Sequence, residues 1–188
     1  MKIRTLLVAI SVLTVLAPSA AVAAVAAEPT GEVCTVGSLG IPYNEELPDE
    51  LPMVMSCFDS VREAEQFVKA GAPGDLEQLA PGMELTRAAA ATVIIGRVWT
   101  GESRTGSELI HWGTGTGCNG VTYGFPTLPS GWNNNIRSAQ GYSNCWASHY
   151  DGTSYTGQVL TCTPYCAVMG TLAASSSSIV YRPTGTFG

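Results

Sequence analysis

The sequence predicts a mainly β protein: a sandwich of two similar units, preceded by a small acidic segment that is partly helical. Three observations carry this expectation. Trp99-Thr-Gly-Glu-Ser-Arg-Thr-Gly106 is echoed 51 residues later by Tyr150-Asp-Gly-Thr-Ser-Tyr-Thr-Gly157, with Gly, Ser and a closing Thr-Gly at matching positions. A repeat of that length implies a duplicated supersecondary unit. From Thr92 onward, short runs rich in β-branched and aromatic residues alternate with Gly, Asn and Pro turn signals, the grammar of a β-sandwich. Charge is also segregated. Residues 28–96 carry twelve carboxylates against Arg62, Lys69 and Arg87, a balance of −9, whereas residues 97–188 balance at +1. The organisation expected is therefore 1–27 as a signal peptide, 28–91 as an acidic N-terminal segment with short helices, and 92–188 as a β domain of two units, about 92–142 and 143–183.

The first 27 residues have the three parts of a secretory signal. Lys2 and Arg4 supply the positive end, Leu6 to Leu16 the apolar stretch, and the Ala-rich run 21–27 the cleavage zone. The apolar run is shorter than the ~20 residues that a membrane span needs. The chain is thus expected to be secreted, with no membrane association after cleavage. Six cysteines, an even number, agree with an oxidising compartment. Sequence alone does not choose among their pairings; proximity and the repeat suggest Cys34–Cys57, Cys118–Cys145 and Cys162–Cys166. A net charge of −6 argues against nucleic acid, which needs a basic footprint.

Glu28 to Pro52 is rich in Pro, Glu and Gly and reads as an acidic linker anchored at Cys34. Ser60-Val-Arg-Glu63 is a capping box, which starts a helix over about Val61 to Ala70. Its buried face holds Val61, Ala64, Phe67 and Val68, Gly71 supplies the stop, and Phe58 staples the start. A second short helix follows Pro73-Gly74, with Asp75 as cap and Leu76 and Leu79 buried; Met83 to Ala91 adds one or two turns. So small a piece has little core of its own. It either packs on the second half or is a removable pro-segment.

Strands are expected at Thr92–Trp99, Leu109–Trp112 and Val121–Phe125, with a type I′ turn at Asn119-Gly120. In the second unit they are expected at Asn144–Tyr150, Gln158–Cys162 and Ser175–Tyr181. Trp132 to Ser138 leads into the last strand of the first unit.

The doubled aromatic-x6-Gly hairpin, each followed by a polar run ending in Ser, resembles the βγ-crystallin Greek-key motif. The pieces that carry the likeness are Ser130-Gly-Trp-Asn-Asn-Asn-Ile-Arg-Ser138 and Ser143-Asn-Cys-Trp-Ala-Ser-His-Tyr-Asp-Gly-Thr-Ser-Tyr-Thr-Gly157, within roughly Thr92 to Arg182. The chain also looks like the small secreted actinobacterial proteins of that fold, of the Streptomyces metalloproteinase-inhibitor type. The resemblance implies a βγ-crystallin-like sandwich of two Greek-key units. It implies a non-enzymatic binding protein that inhibits an extracellular (metallo)protease, or else a calcium-binding or structural module or a killer-toxin-like effector. A monomer is expected.

Many microbial members bind calcium through a run of two Asn or Asp, two variable residues, Ser or Thr, then Ser. Here the first run, Asn133 to Ser138, keeps both amides but places Arg137 at the hydroxyl position. The second, Ala173 to Ser178, loses both amides and keeps Ser177. Exchange of ligands between units leaves at most one weak calcium site, from Asn133, Asn134 and Ser177. Arg137 opposes a cation at the other. No other cofactor is expected.

His149 and Asp151 lie near Ser148 and Ser154, but strand alternation turns His149 away from Ser148 and Tyr150. No Gly-x-Ser-x-Gly elbow is present. With two histidines and few carboxylates in the β half, neither a catalytic zinc nor a glycosidase pair is expected. The stretch best suited to inhibition is Cys162, Pro164, Tyr165, Cys166, Ala167 and Val168. A Cys162–Cys166 bridge would order this loop before binding, and Ala167-Val168 would suit an apolar protease pocket.

Overall fold

The computed structural model describes residues 31–82 and 91–188. The expected signal peptide, Met1 to Ala27, and all but the last residue of the turns expected over Met83 to Ala91 lie outside the described residues.

The chain forms two β-sheets face to face, with two short helices on the outer face of the larger one. In chain order the strands are β1 Val33–Ser38, β2 Ile41–Pro42, β3 Met55–Phe58, β4 Thr92–Trp99, β5 Glu108–Thr114, β6 Val121–Phe125, β7 Ser138–Gly141, β8 Cys145–Tyr150, β9 Val159–Cys162, β10 Tyr165–Cys166 and β11 Ser178–Pro183. Helices α1, Val61–Lys69, and α2, Asp75–Leu79, lie between β3 and β4. The six-stranded sheet runs β10-β7-β4-β5-β1-β3 and the five-stranded sheet β2-β6-β11-β8-β9. The main core lies between them. Val36, Ile95, Val98, Leu109 and Ala139 come from the first sheet; Tyr123, Phe125, Ala147, Ile179 and Tyr181 come from the second. Two glycines admit the aromatics: a Cβ on Gly96 would stand 1.9 Å from the Tyr181 ring, and one on Gly113 2.3 Å from that of Tyr123.

A bulge between Ile94 and Gly96 sets the two faces of β4. Ile94 packs with the helices, whereas Ile95 and Val98 face the other sheet. Arg97 turns to the helical side, where it pairs with Glu65 of α1 and, at 2.8 Å, with Glu108 of β5. Helix α1 begins as its capping box predicts, with the Glu63 N–H donating to Ser60 Oγ at 3.3 Å. Ala64 and Val68 are buried, and Phe58 stacks on Phe67 at 5.0 Å. Asp75 is not a cap. Gly74 takes that position, and Asp75, within the helix and nearly buried, accepts from Ser56 Oγ of β3. The helix start is thereby tied to the sheet edge, at the cost of burying a carboxylate whose pKa burial raises.

Two further expectations are corrected. The described part of the stretch expected as a linker, 31–52, is not one: Val33–Ser38 is a fully buried strand, parallel to β5 and antiparallel to β3, and Ile41–Pro42 pairs with β6. Strands from both sides of residue 92 therefore share one sheet. Pro and Glu dominate the composition of this stretch, but Val33-Cys-Thr-Val36 is strongly β-forming, and the groove beside β5 decides its conformation. Asn119-Gly120 is not a type I′ turn, because β5 and β6 belong to different sheets and the loop between them is a crossover. Only Gly120 has positive φ there, while the Cys118 N–H donates to the Ser143 carbonyl.

Candidate functional site

Each repeated phrase folds into the same hairpin, and the Ser that ends each polar run locks it. Ser138 Oγ donates to the Gly101 carbonyl at 2.7 Å and accepts from the Arg104 N–H at 3.0 Å. Ser178 Oγ donates to the Gly152 carbonyl at 2.7 Å and accepts from the Tyr155 N–H at 3.1 Å. Both Ser138 and Ser178 are fully buried. The positive φ values match as well, at Ser103, Arg104 and Gly106 in one hairpin and Ser154, Tyr155 and Gly157 in the other.

The structure contains the three disulfides Cys34–Cys57, Cys118–Cys145 and Cys162–Cys166. The third joins β9 of the five-stranded sheet to β10 of the six-stranded sheet, so it closes the sandwich at one edge. Its loop is held on both flanks. The Gly141 N–H donates to the Pro164 carbonyl at 2.8 Å, Tyr165 and Cys166 pair with Gln140 and Ala139, and the Ser103 N–H donates to the Ala167 carbonyl at 2.8 Å. The Arg104 guanidinium lies 4.1 Å from the centre of the Tyr165 ring. Cys162 is buried and Tyr165, Cys166 and Ala167 are partly covered, leaving Thr163, Pro164 and Val168 to present to a partner. Val168 is 53% exposed. The first hairpin, far away in sequence, is therefore part of this surface; no local sequence signal marks Ser103 and Arg104 as its supports.

The two polar runs interlock. The Asn134 N–H donates to the Ser176 carbonyl at 2.9 Å, and the Ala174 N–H donates to the Ile136 carbonyl at 3.0 Å. This brings Ser177 Oγ to 3.4 Å from Asn134 Oδ1, across the two units. Asn133 is exposed, and its side chain makes no hydrogen bond to the other two among the described residues. The neutral oxygens of Asn134 and Ser177 fit a hard cation, and neither run offers a carboxylate to strengthen one.

The residues that suggest hydrolysis are separated. His149 points inward and Ser148 outward, where Ser148 Oγ meets Thr161 Oγ1 at 2.8 Å. Asp151 accepts from the Gln158 N–H at 2.7 Å, and Ser154 Oγ donates to the Asp49 carbonyl. His149 Nδ1 instead lies 3.1 Å from Ser176 Oγ, a contact with no signal in the sequence. Both residues are fully buried, so a substrate cannot reach the pair. A cleft of about 440 Å³ lies between α1 and β4, walled by Val68, Val93, Tyr142 and the Arg97–Glu65 pair. None of the residues proposed from sequence lines it.

No family model and no curated protein matches this sequence. Solved structures similar to it include the following three. One is an N-terminal domain of protein S, at 18% identity and a TM-score of 0.35, over 47% of this chain and 96% of that one. A second comes from work on the evolution of the eye lens βγ-crystallin domain fold, at 16% identity and 0.38, over 54% and 94%. The third is a βγ-crystallin domain from Flavobacterium johnsoniae, at 16% identity and 0.35, over 49% and 98%.

Proposed function

We propose that this is a secreted, non-enzymatic binding protein that inhibits an extracellular metalloprotease by inserting the stapled turn Cys162 to Val168 into an apolar substrate pocket. The observation that carries this reading is the support of the turn on both flanks by backbone hydrogen bonds. A turn ordered in advance loses little conformational entropy on binding. Compartment agrees with it. All six cysteines are paired, as suits an oxidising environment, and among the described residues no helix is long and apolar enough to cross a membrane. The full secreted protein is expected to inhibit a thermolysin-like enzyme with a dissociation constant of about micromolar or tighter. Val168→Asp, on an exposed side chain, should weaken inhibition at least ~10-fold without changing the melting temperature. Absence of inhibition by the unmutated protein overturns the reading.

A second reading, a module that binds one calcium ion weakly, is favoured by the meeting of Asn134 and Ser177. Calorimetric titration should give a dissociation constant of about 0.1 mM or weaker, as expected of neutral oxygens. Asn134→Ala should abolish the heat; an unchanged heat excludes this site.

A further inference from the structure

Two imidazoles occupy the middle of the sandwich. His111 comes from β5 in one sheet and His149 from β8 in the other, and both are 0% exposed. The His111 ring lies edge-on to Phe125 of β6 at 4.6 Å and 5.1 Å from Tyr181 of β11. Opposite it on β4 is Gly96, whose missing side chain makes room for the Tyr181 ring. Neither nitrogen of His111 has a well-formed hydrogen bond among the described residues. Nor does Nε2 of His149, whose only partner is the Ser176 hydroxyl at Nδ1. The Tyr181 phenol is the other titratable group at this place, and burial keeps it neutral. The nearest ion pair, Arg97–Glu108, lies on the other face of the six-stranded sheet, under α1.

Such packing accepts a neutral imidazole but offers an imidazolium no counter-ion and almost no acceptor. Burying an unpaired charge is among the costliest changes available to a core. Protonating both rings would also set two like charges against each other across the seam. We propose that His111 and His149 form an acid-release latch: mild acid favours an opened form in which the rings take up protons, the two sheets part along the seam, and the stapled turn loses its support. The Cys162–Cys166 bridge still joins one sheet to the other, so the opening is limited and reverses when the protons leave. This device goes beyond the inhibitory reading and does not depend on it.

The titration of the pair agrees with the geometry. Burial first, and His149 second, push His111 down to about 3 against a small opposing contact with the Leu109 backbone; burial alone does the same to His149. The folded values are depressed below the ordinary ~6.5 of an unfolded chain, so stability is whole above that value and is lost as pH falls towards the folded values. In the middle of that window each ring lowers the folding equilibrium constant about 10-fold per pH unit, and the pair about 100-fold.

The test is urea unfolding of the full chain, disulfides intact, at steps between about pH 7 and pH 4. The expected result is a loss approaching 100-fold per unit below about pH 6, recovered on return to neutrality. His111→Phe should halve that slope on a logarithmic scale, and Glu108→Gln should leave it in place. Should His111→Phe fail to fold, imidazole nitrogen shifts of the unmutated protein give the same answer. Neutral rings in the folded protein at about pH 5 support the latch. An equilibrium constant flat across the range, a slope as steep in His111→Phe as in the unmutated chain, or folded protein with charged rings at that pH overturns it.

Discussion

The two hairpins are near copies in backbone and differ in what they hold. In each, the third-position glycine N–H bonds the carbonyl of the penultimate threonine, Gly101 to Thr105 at 2.8 Å and Gly152 to Thr156 at 3.0 Å, and a buried serine locks the tip. The first hairpin supports the stapled turn, through the Ser103 N–H on Ala167 and Arg104 over Tyr165. The second holds the loop after β6 and the N-terminal segment. Its Ser154 N–H donates to the Pro126 carbonyl, its Ser154 hydroxyl to that of Asp49, and the Tyr155 phenol lies against Gly124 beneath Leu47. The lesson is that duplication supplies two equal fastening devices, and the few side chains free to vary at their tips decide what is fastened.

That comparison breaks most readily at the locks. Ser138→Ala and Ser178→Ala each remove a buried hydroxyl that serves one donor and one acceptor, and each should cost about 2–4 kcal/mol in denaturant unfolding. Equal losses would support equivalence of the hairpins; a loss confined to one would show that the other is held by its neighbours. A smaller effect should sharpen the difference in what they hold. Arg104→Ala should cost about 0.5–1 kcal/mol through the lost contact with the Tyr165 ring. It should speed amide exchange in the stapled turn and leave exchange around Asp49 unchanged. Equal acceleration at both places would contradict the division of roles.

The same pair of hairpins shows what could be read in advance. The repeat, the strands at Thr92–Trp99 and Val121–Phe125 and helix α1 are visible in the sequence, because each depends on local patterning; the cysteine pairs are those that proximity suggested but did not decide. The burial of Val33–Ser38 was obscured by the Pro and Glu around it, since composition averages over a six-residue strand. The Ser176–His149 contact and the support of the turn by Ser103 and Arg104 join residues 27 or more apart, and no spacing rule anticipates them. Of the candidate site, the turn was legible as a loop closed by a bridge. Its pairing with β7 was not.

By itself the sequence determined two glycine-closed hairpins under aromatic residues, because they depend on backbone conformations that glycine permits within a few residues. The tertiary structure brought a serine 26 or 37 residues away onto the glycine carbonyl of each. Only the tertiary structure decided that the acidic N-terminal segment would give an inner strand to the larger sheet, and that two histidines 38 residues apart would both be buried between the sheets. Both depend on which faces are left to cover once the sheets form, and burial of that kind belongs to the assembled fold rather than to any stretch of chain.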